Sequence, residues 1–289
     1  VAYTCAITLT ARIQACHTAN LAHFVPWRVY GRAVGHIHQQ NLDAVLASST
    51  HFRRGAGGLE LDVGAADASA IVAAAVDELV RDHKLRPPLG ELYPVFGHGD
   101  LQPCLLLDRT AVAFFGVRAA GVHLNGYVRT EHGIELWVAT RSRGKRSYPG
   151  HLDNLVAGGM GWPLSPRATL VKECQEEAGL PATLAAQAVA VGAIHYVMQE
   201  GLLLKPDRLD LFDLELPTDF VPHVVDGEVE SFARWPVAKV MASLCSEDPW
   251  KPNCALVVID FLLRHGQLDA AVAAGERWQL WQRLRSPGS

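Results

Sequence analysis

Positive charge is in short supply in this chain. Its 26 Lys and Arg are outnumbered by 30 Asp and Glu, a formal net charge of −4. A general nucleic-acid binder or a polybasic membrane binder needs the opposite balance. No apolar run reaches the length of a membrane span. The opening stretch VAYTCAITLTARIQACHTANLAHF has no basic leader followed by an unbroken apolar core, so it is not read as a signal peptide. The six cysteines, at 5, 16, 104, 174, 245 and 254, form no C-x-x-C pair. That scatter argues against a zinc site and a disulfide framework, and favours a reducing cytoplasm. Internal repeats, low-complexity segments and a flexible linker are also lacking. With 289 residues, the chain is long enough for one large or two medium domains.

What stands out instead is an acidic helix. Residues 158–180 read GGMGWPLSPRATLVKECQEEAGL. Ser165 is a natural N-cap with Pro166 at the first helical position, and Gly179 and Pro181 end the helix. Glu173, Glu176 and Glu177 sit at i, i+3 and i+4, so their carboxylates share one face. Three like charges on one stripe repel, and a hard divalent cation such as Mg²⁺ or Mn²⁺ among them removes the repulsion. A solvated acidic face would carry the same letters, so the spacing by itself leaves both readings open. Cys174 reads as packing. Just upstream, TRSRGKRSYPG at 140–150 places Arg141, Arg143, Lys145 and Arg146 close together. Cations beside carboxylates suit a phosphate chain bridged to metal, with Arg141 or Lys145 holding the phosphate. Gly158 and Gly159 let the loop backbone approach the acidic helix and a ligand there.

The rest of the chain divides near residue 119. Before it, residues 1–20 look weakly helical and 24–37 read as two short strands about a turn at Gly31. A short helix is expected over 41–47 and a turn into a strand over 55–61. Asp67 caps a helix to about Lys84, with Ile71, Val72, Ala75, Val76, Leu79 and Val80 as its stripe. Strands are expected at 92–96 and 105–107 around an HGD turn, and 112–117 reads as helix or strand. His36 and His38 alternate on a strand without a third ligand nearby, and are taken as a polar face. After the boundary, 121–129 and 134–139 form a hairpin about EHG. Strands at 188–198 and 208–216 follow, joined at Glu200-Gly201. Asp226, Glu228 and Glu230 cluster before an aromatic strand at 232–235. Helices at 254–265 and 270–284 look like packing elements.

The acidic segment resembles the Nudix box, in which a Gly, a Glu and the run Arg-Glu-apolar-any-Glu-Glu-any-Gly-apolar recur at fixed spacing. Gly158 and the run from Lys172 to Leu180 fit; Leu164 replaces the first Glu and Lys172 the Arg. FFGV, GVHLNGYV, LWVATRSRGKRSYPGHLDNLVAGG, KECQEEAG, DGEVESF and FVPWRVYGRAVGHI are similar to one Nudix branch, the one fused to thiamin pyrophosphokinase in some fungi. That branch carries an extra N-terminal domain. The resemblance, over about residues 22–240, implies an α/β/α Nudix sandwich with a mixed sheet at 119–289, preceded by a smaller α+β accessory domain at 1–118. It implies a Mg²⁺-dependent (or Mn²⁺-dependent) hydrolase for a small-molecule diphosphate, with thiamin diphosphate or its oxidised analogues as substrates cut to the monophosphate. Glu173, Glu176 and Glu177 would be metal ligands. Glu228, ahead of Glu230 and Asp226, would supply the late carboxylate. Glu176 or Glu228 would accept the proton of the attacking water. A generic nucleoside diphosphate-X hydrolase and a non-catalytic binding module stay open. A prenyl-diphosphate isomerase ranks below them, because Cys104, Cys245 and Cys254 lack a suggestive context. Nucleic acid and membrane are not expected as partners; the N-terminal domain could bind ligand or form a homodimer.

Overall fold

The computed structural model describes residues 7–55, 57–63, 67–97, 99–269 and 272–285. The first part of the HGD turn, His98, lies outside them, as do the ends of the expected N- and C-terminal helices.

The N-terminal half begins with α1 (Leu9–Gln14), whose Thr8 side chain accepts from Ala11 N–H. β1 (Phe24–Val29) and β2 (Arg32–His38) pair about a two-residue turn. Tyr30 and Gly31 both take positive φ there, the combination that a twisted hairpin requires. α2 (Leu42–Ser48), β3 (Phe52–Gly55), β4 (Gly58–Leu61) and α3 (Ala68–Arg81) follow. The four strands form a sheet in the order β2-β1-β4-β3. α3 starts as its sequence demands, with Asp67 accepting from Ser69 N–H, and buries Ile71, Val72, Ala75, Val76 and Leu79. β5 (Leu92–Val95) and β6 (Leu105–Asp108) form a separate ribbon, and α4 (Arg109–Val112) leads out of it. The ambiguous stretch 112–117 is therefore the end of a short helix and a turn, which buries Phe114 and Phe115.

The second half holds β7 (Ala120–Thr130), β8 (Gly133–Arg141), β9 (Leu152–Asp153), β10 (Val156–Gly159), α5 (Pro166–Ala178), α6 (Ala182–Ala185), β11 (Val189–Glu200), β12 (Leu203–Glu215), β13 (Val229–Pro236), α7 (Val237–Leu244), α8 (Pro252–Arg264) and α9 (Ala274–Arg285). The sheet runs β11-β12-β7-β8-β13, with β10 added to β7 and β9 to β8. It is mixed: β7 is parallel to β12 and antiparallel to β8 and β10. One face packs on α5 through Val122, Leu124, Leu155, Leu170, Cys174 and Phe212. The other packs on α7, α8 and α9 through Leu136, Val138, Ile194, Leu211, Ile259 and Phe261. The result is an α/β/α sandwich.

Three expectations change. α1 covers only part of 1–20, and it packs with the C-terminal helices: Leu9, Ile13 and Cys16 join Leu256, Ile259 and Leu284 in one core. Arg12 fastens it there, donating to the carbonyls of Leu244, Ser246 and Asp248. The strand β3 was not anticipated, because Phe52-Arg-Arg-Gly carries no alternating pattern long enough to read. Cys245 is disulfide-bonded, although Cys16, Cys104, Cys174 and Cys254 are free. Spacing along a chain does not report which thiols folding brings together. Of the two histidines, His38 is buried, accepts from Gln40 N–H and packs edge-on against Phe24. Among the described residues no helix is long and apolar enough to cross a membrane.

Candidate active site

The acidic helix forms with the ends its sequence sets. Ser165 accepts from Ala168 N–H, Pro166 opens the first turn, and Gly179 takes the left-handed conformation (φ 62) that a helix C-terminus favours. β10 lies against it. A Cβ built on Gly158 would overlap the Glu173 carboxyl group, so only glycine permits this approach. Ala157 N–H donates to Glu177 Oε2 at 3.0 Å, which ties helix to strand.

The three carboxylates differ in setting. Glu177 is buried, and that desolvation pushes its pKa up to about 8 in spite of the Ala157 bond. Burial also raises that of Glu173. Glu176 is exposed at the cavity edge. Lys172 bridges the outer two, with Nζ at 3.2 Å from Glu173 Oε1 and 2.5 Å from Glu176 Oε2. This lysine stands in the box where an arginine is usual, and Leu164, where the box has its first Glu, is exposed. The helix is braced instead by the Glu177–Ala157 bond, the Gly158 contact and its own i, i+4 pair. Three hard oxygen donors on this end of the helix, two of them (Glu173 and Glu177) held back from ionising by burial, suit a divalent cation such as Mg²⁺.

Lys172, Glu173 and Glu176 open on a cavity of about 530 Å³, with Glu177 buried behind them. Lys145, Glu228, Gly158 and Gly159 also line it. Lys145 reaches across to Glu228 at 2.5 Å, so the basic and acidic loops close on each other. Glu230 instead pairs with Arg143 at 3.6 Å, and Asp226 Oδ1 accepts from Glu228 N–H. Arg141 departs from its expected role. It is buried, and its three nitrogens donate to Tyr148 O, Asp153 Oδ2 and Ser147 O. It ends β8 pointing inward toward β9, a direction that nearness in sequence to the acidic helix could not reveal.

Beneath the cavity lies a polar network. Cys254 Sγ donates to Asp153 Oδ1 at 2.6 Å, and His123 Nδ1 is 2.8 Å from Asn154 Oδ1. Donor atoms of His123, Asp153 and Cys254 lie within 4.8 Å of one another. Burial opposes ionisation of Asp153, but Lys251 and Arg141 outweigh it and hold the pKa at about 2. A divalent cation would have to displace those two cations, and burial keeps Cys254 a protonated thiol. We read the network as structural, and it leaves Cys254 poorly placed for proton transfer at carbon.

Several cavity residues were not anticipated: Tyr93 and Arg109 from the N-terminal half, and Tyr196, Asp207 and Lys251 from the second half. Tyr93 abuts Gly159 so closely that a Cβ there would overlap its hydroxyl oxygen. Leu92 O accepts from Trp162 N–H at 2.8 Å, joining β5 to the loop before α5. Tyr196 donates to Asp207 Oδ2 at 2.8 Å, and burial raises the Asp207 pKa to about 6. No local pattern marks these residues; the fold gathers them from distant strands.

Residues 8–119 match a family model described as a domain of unknown function (DUF4743). The chain is 37% identical over 289 residues to Nudix hydrolase 20, chloroplastic, of Arabidopsis thaliana, an alignment covering 95% of this chain and 77% of that protein. It is 36% identical over 254 residues to Nudix hydrolase 24, chloroplastic, of the same plant, covering 86% and 69%. Among solved structures, DR0079 from Deinococcus radiodurans is similar at 19% identity and TM-score 0.42, covering 58% of this chain and 96% of that one.

Proposed function

The chain belongs to the Nudix hydrolases, and from that premise we propose that it cleaves a diphosphate linkage of a small molecule with Mg²⁺ (or Mn²⁺) held by Glu173, Glu176 and Glu177. The observation that carries this reading is the packing of the acidic helix on β10, with Glu173 against Gly158 and Glu177 on Ala157 N–H, both with pKa values raised by burial. When bound, the ion would spread the charge developing on phosphorus and acidify a water. The chain's own part is positional. Glu228 or Glu176 accepts the proton of the attacking water. Gly158 and Gly159 let the phosphate chain approach the backbone. Lys145, which is paired with Glu228, would meet a phosphate oxygen only by releasing that carboxylate. One water is consumed, and a diphosphate ester yields its monophosphate and inorganic phosphate.

We take thiamin diphosphate or its oxidised analogues as the substrate, on the sequence resemblance alone; a nucleoside diphosphate-X compound is the alternative. The organic half has room in a second cavity of about 770 Å³, which shares Tyr93, Ala120 and Arg208 with the first. We assign 1–118 as the accessory domain and 119–289 as the hydrolase domain, with α1 crossing between them. The cytoplasmic reading rests on the scatter of the cysteines in sequence, and the disulfide at Cys245 weighs against it.

Glu177→Gln tests the chemistry. It should abolish Mg²⁺-dependent release of a monophosphate from these substrates while the protein stays folded; full activity in this variant would sink the proposal. A screen of diphosphates settles the substrate, and preference for nucleotide sugars or dinucleotides would remove the thiamin assignment.

A further inference from the structure

Resting on the diphosphate-hydrolase reading, the geometry points to Arg109, supplied by the N-terminal half, as the side chain that binds the substrate phosphate farther from the carboxylates. Three arginines line the cavity: Arg109, Arg141 and Arg208. A guanidinium recognises phosphate through paired N–H donors on two nitrogens, so the useful arginine is the one with two nitrogens still unbonded. Each nitrogen of Arg141 is already bonded. Arg208 donates from both Nε and Nη2 to Asp210 Oδ1. Arg109 donates only from Nη1, to Glu91 Oε2 at 2.8 Å, and its other two nitrogens have no partner among the described residues. The lysines of the cavity are committed in the same way: Lys145 to Glu228, Lys172 to Glu173 and Glu176, Lys205 to Glu200, and Lys251 to Asp153.

Arg109 is also held in place before any ligand arrives. Its backbone N–H donates to Glu91 O at 2.8 Å, and the preceding Asp108 caps the turn by accepting from Thr110 N–H. The Glu91 carboxylate then fixes the fork from one side, as a guanidinium that must meet a phosphate without reordering requires. Its side chain is half-exposed to the cavity. It lies in the field of Tyr93, whose hydroxyl abuts Gly159, and in that of Glu228 on the facing loop. A diphosphate with one phosphate at the carboxylates and Gly158 therefore has Arg109 on the Tyr93 side for the other. This gives the N-terminal domain a part in the reaction: it completes the substrate site. A clamp between β5 and α4 alone would require stability from Arg109 and no ligand affinity.

The full chain tests the difference. Imidodiphosphate, which resists hydrolysis, is titrated in the presence of Mg²⁺, and Mn²⁺ is titrated alone. Arg109→Gln should weaken imidodiphosphate by about tenfold or more, raise KM with little change in kcat, and leave Mn²⁺ binding and the melting temperature unchanged. Arg109→Lys, which keeps the charge and loses the fork, should fall between. Equal imidodiphosphate affinity in wild type and Arg109→Gln overturns the inference. If Arg109→Gln does not fold, unchanged affinity in Arg109→Lys overturns it equally. A wild type that binds neither Mn²⁺ nor imidodiphosphate overturns the hydrolase reading and this inference together.

Discussion

His123 shows how much a single buried side chain can say about the medium the protein tolerates. Burial and the charge of Lys251 push its pKa down to about 4. In the unfolded chain a histidine titrates near 6.5. Between those values the unfolded chain carries a proton that the folded one refuses. The contribution to stability is therefore complete above about pH 6.5 and is lost as pH falls toward about 4. Asp207 acts in the opposite sense: its pKa is raised to about 6, so it favours the fold increasingly as pH drops through that range. A wild-type profile alone would mix the two, and a variant separates them. Between about pH 7 and pH 5, wild type should lose about 2 kcal/mol more than His123→Asn in urea unfolding. Parallel slopes in the two proteins would show that His123 does not titrate out of the fold in this way.

At the scale of elements, the approach of β10 to α5 decides whether the carboxylates can work. Gly158→Ala would drive a methyl group into the Glu173 carboxyl. That side chain can swing away, so stability should change little, but its oxygens would leave the shared face. Displacing one ligand by about 1 Å costs on the order of a hundredfold in rate, and Mg²⁺-dependent turnover should fall by that much with the melting temperature nearly kept. Retained turnover would mean that Glu173 is dispensable. The helix itself was legible in the sequence because its determinants are local: Ser165, Pro166, Gly179 and the i, i+3, i+4 glutamates all lie within one segment. The same holds for α3 and for the hairpin β7–β8 about EHG. Partner choice was not legible. Lys145 meets Glu228 from a loop some eighty residues away in sequence, and Arg141 turns inward to Asp153, because β-sheet neighbours and side-chain direction are fixed by long-range register. The pairing of Lys172 with Glu176 could have been read from i, i+4 spacing.

For the whole molecule, the change of pattern near residue 119 marks where one sheet ends and the next begins, yet the chain does not come apart cleanly there. α1 is laid into the far side of the hydrolase sandwich: Leu9, Ile13 and Cys16 are all under 10% exposed, at 6%, 1% and 0%. Nothing in its short, weak periodicity says which core it will join, since the groove between α8 and α9 exists only after the rest has folded. Fully burying a leucine or isoleucine is worth roughly 1.5–3 kcal/mol each, and domains of this kind are stable by about 5–15 kcal/mol in all. A chain cut to 119–289 therefore loses a large share of its margin along with Arg12 and its three carbonyl contacts. It should melt well below the full chain and bind a hydrophobic dye at the uncovered α8–α9 face. Adding a peptide of residues 7–18 in excess should recover part of the melting temperature by mass action. If the cut chain melts with the full one and ignores the peptide, α1 is an ornament on the sandwich and the two halves are separable at 119 after all.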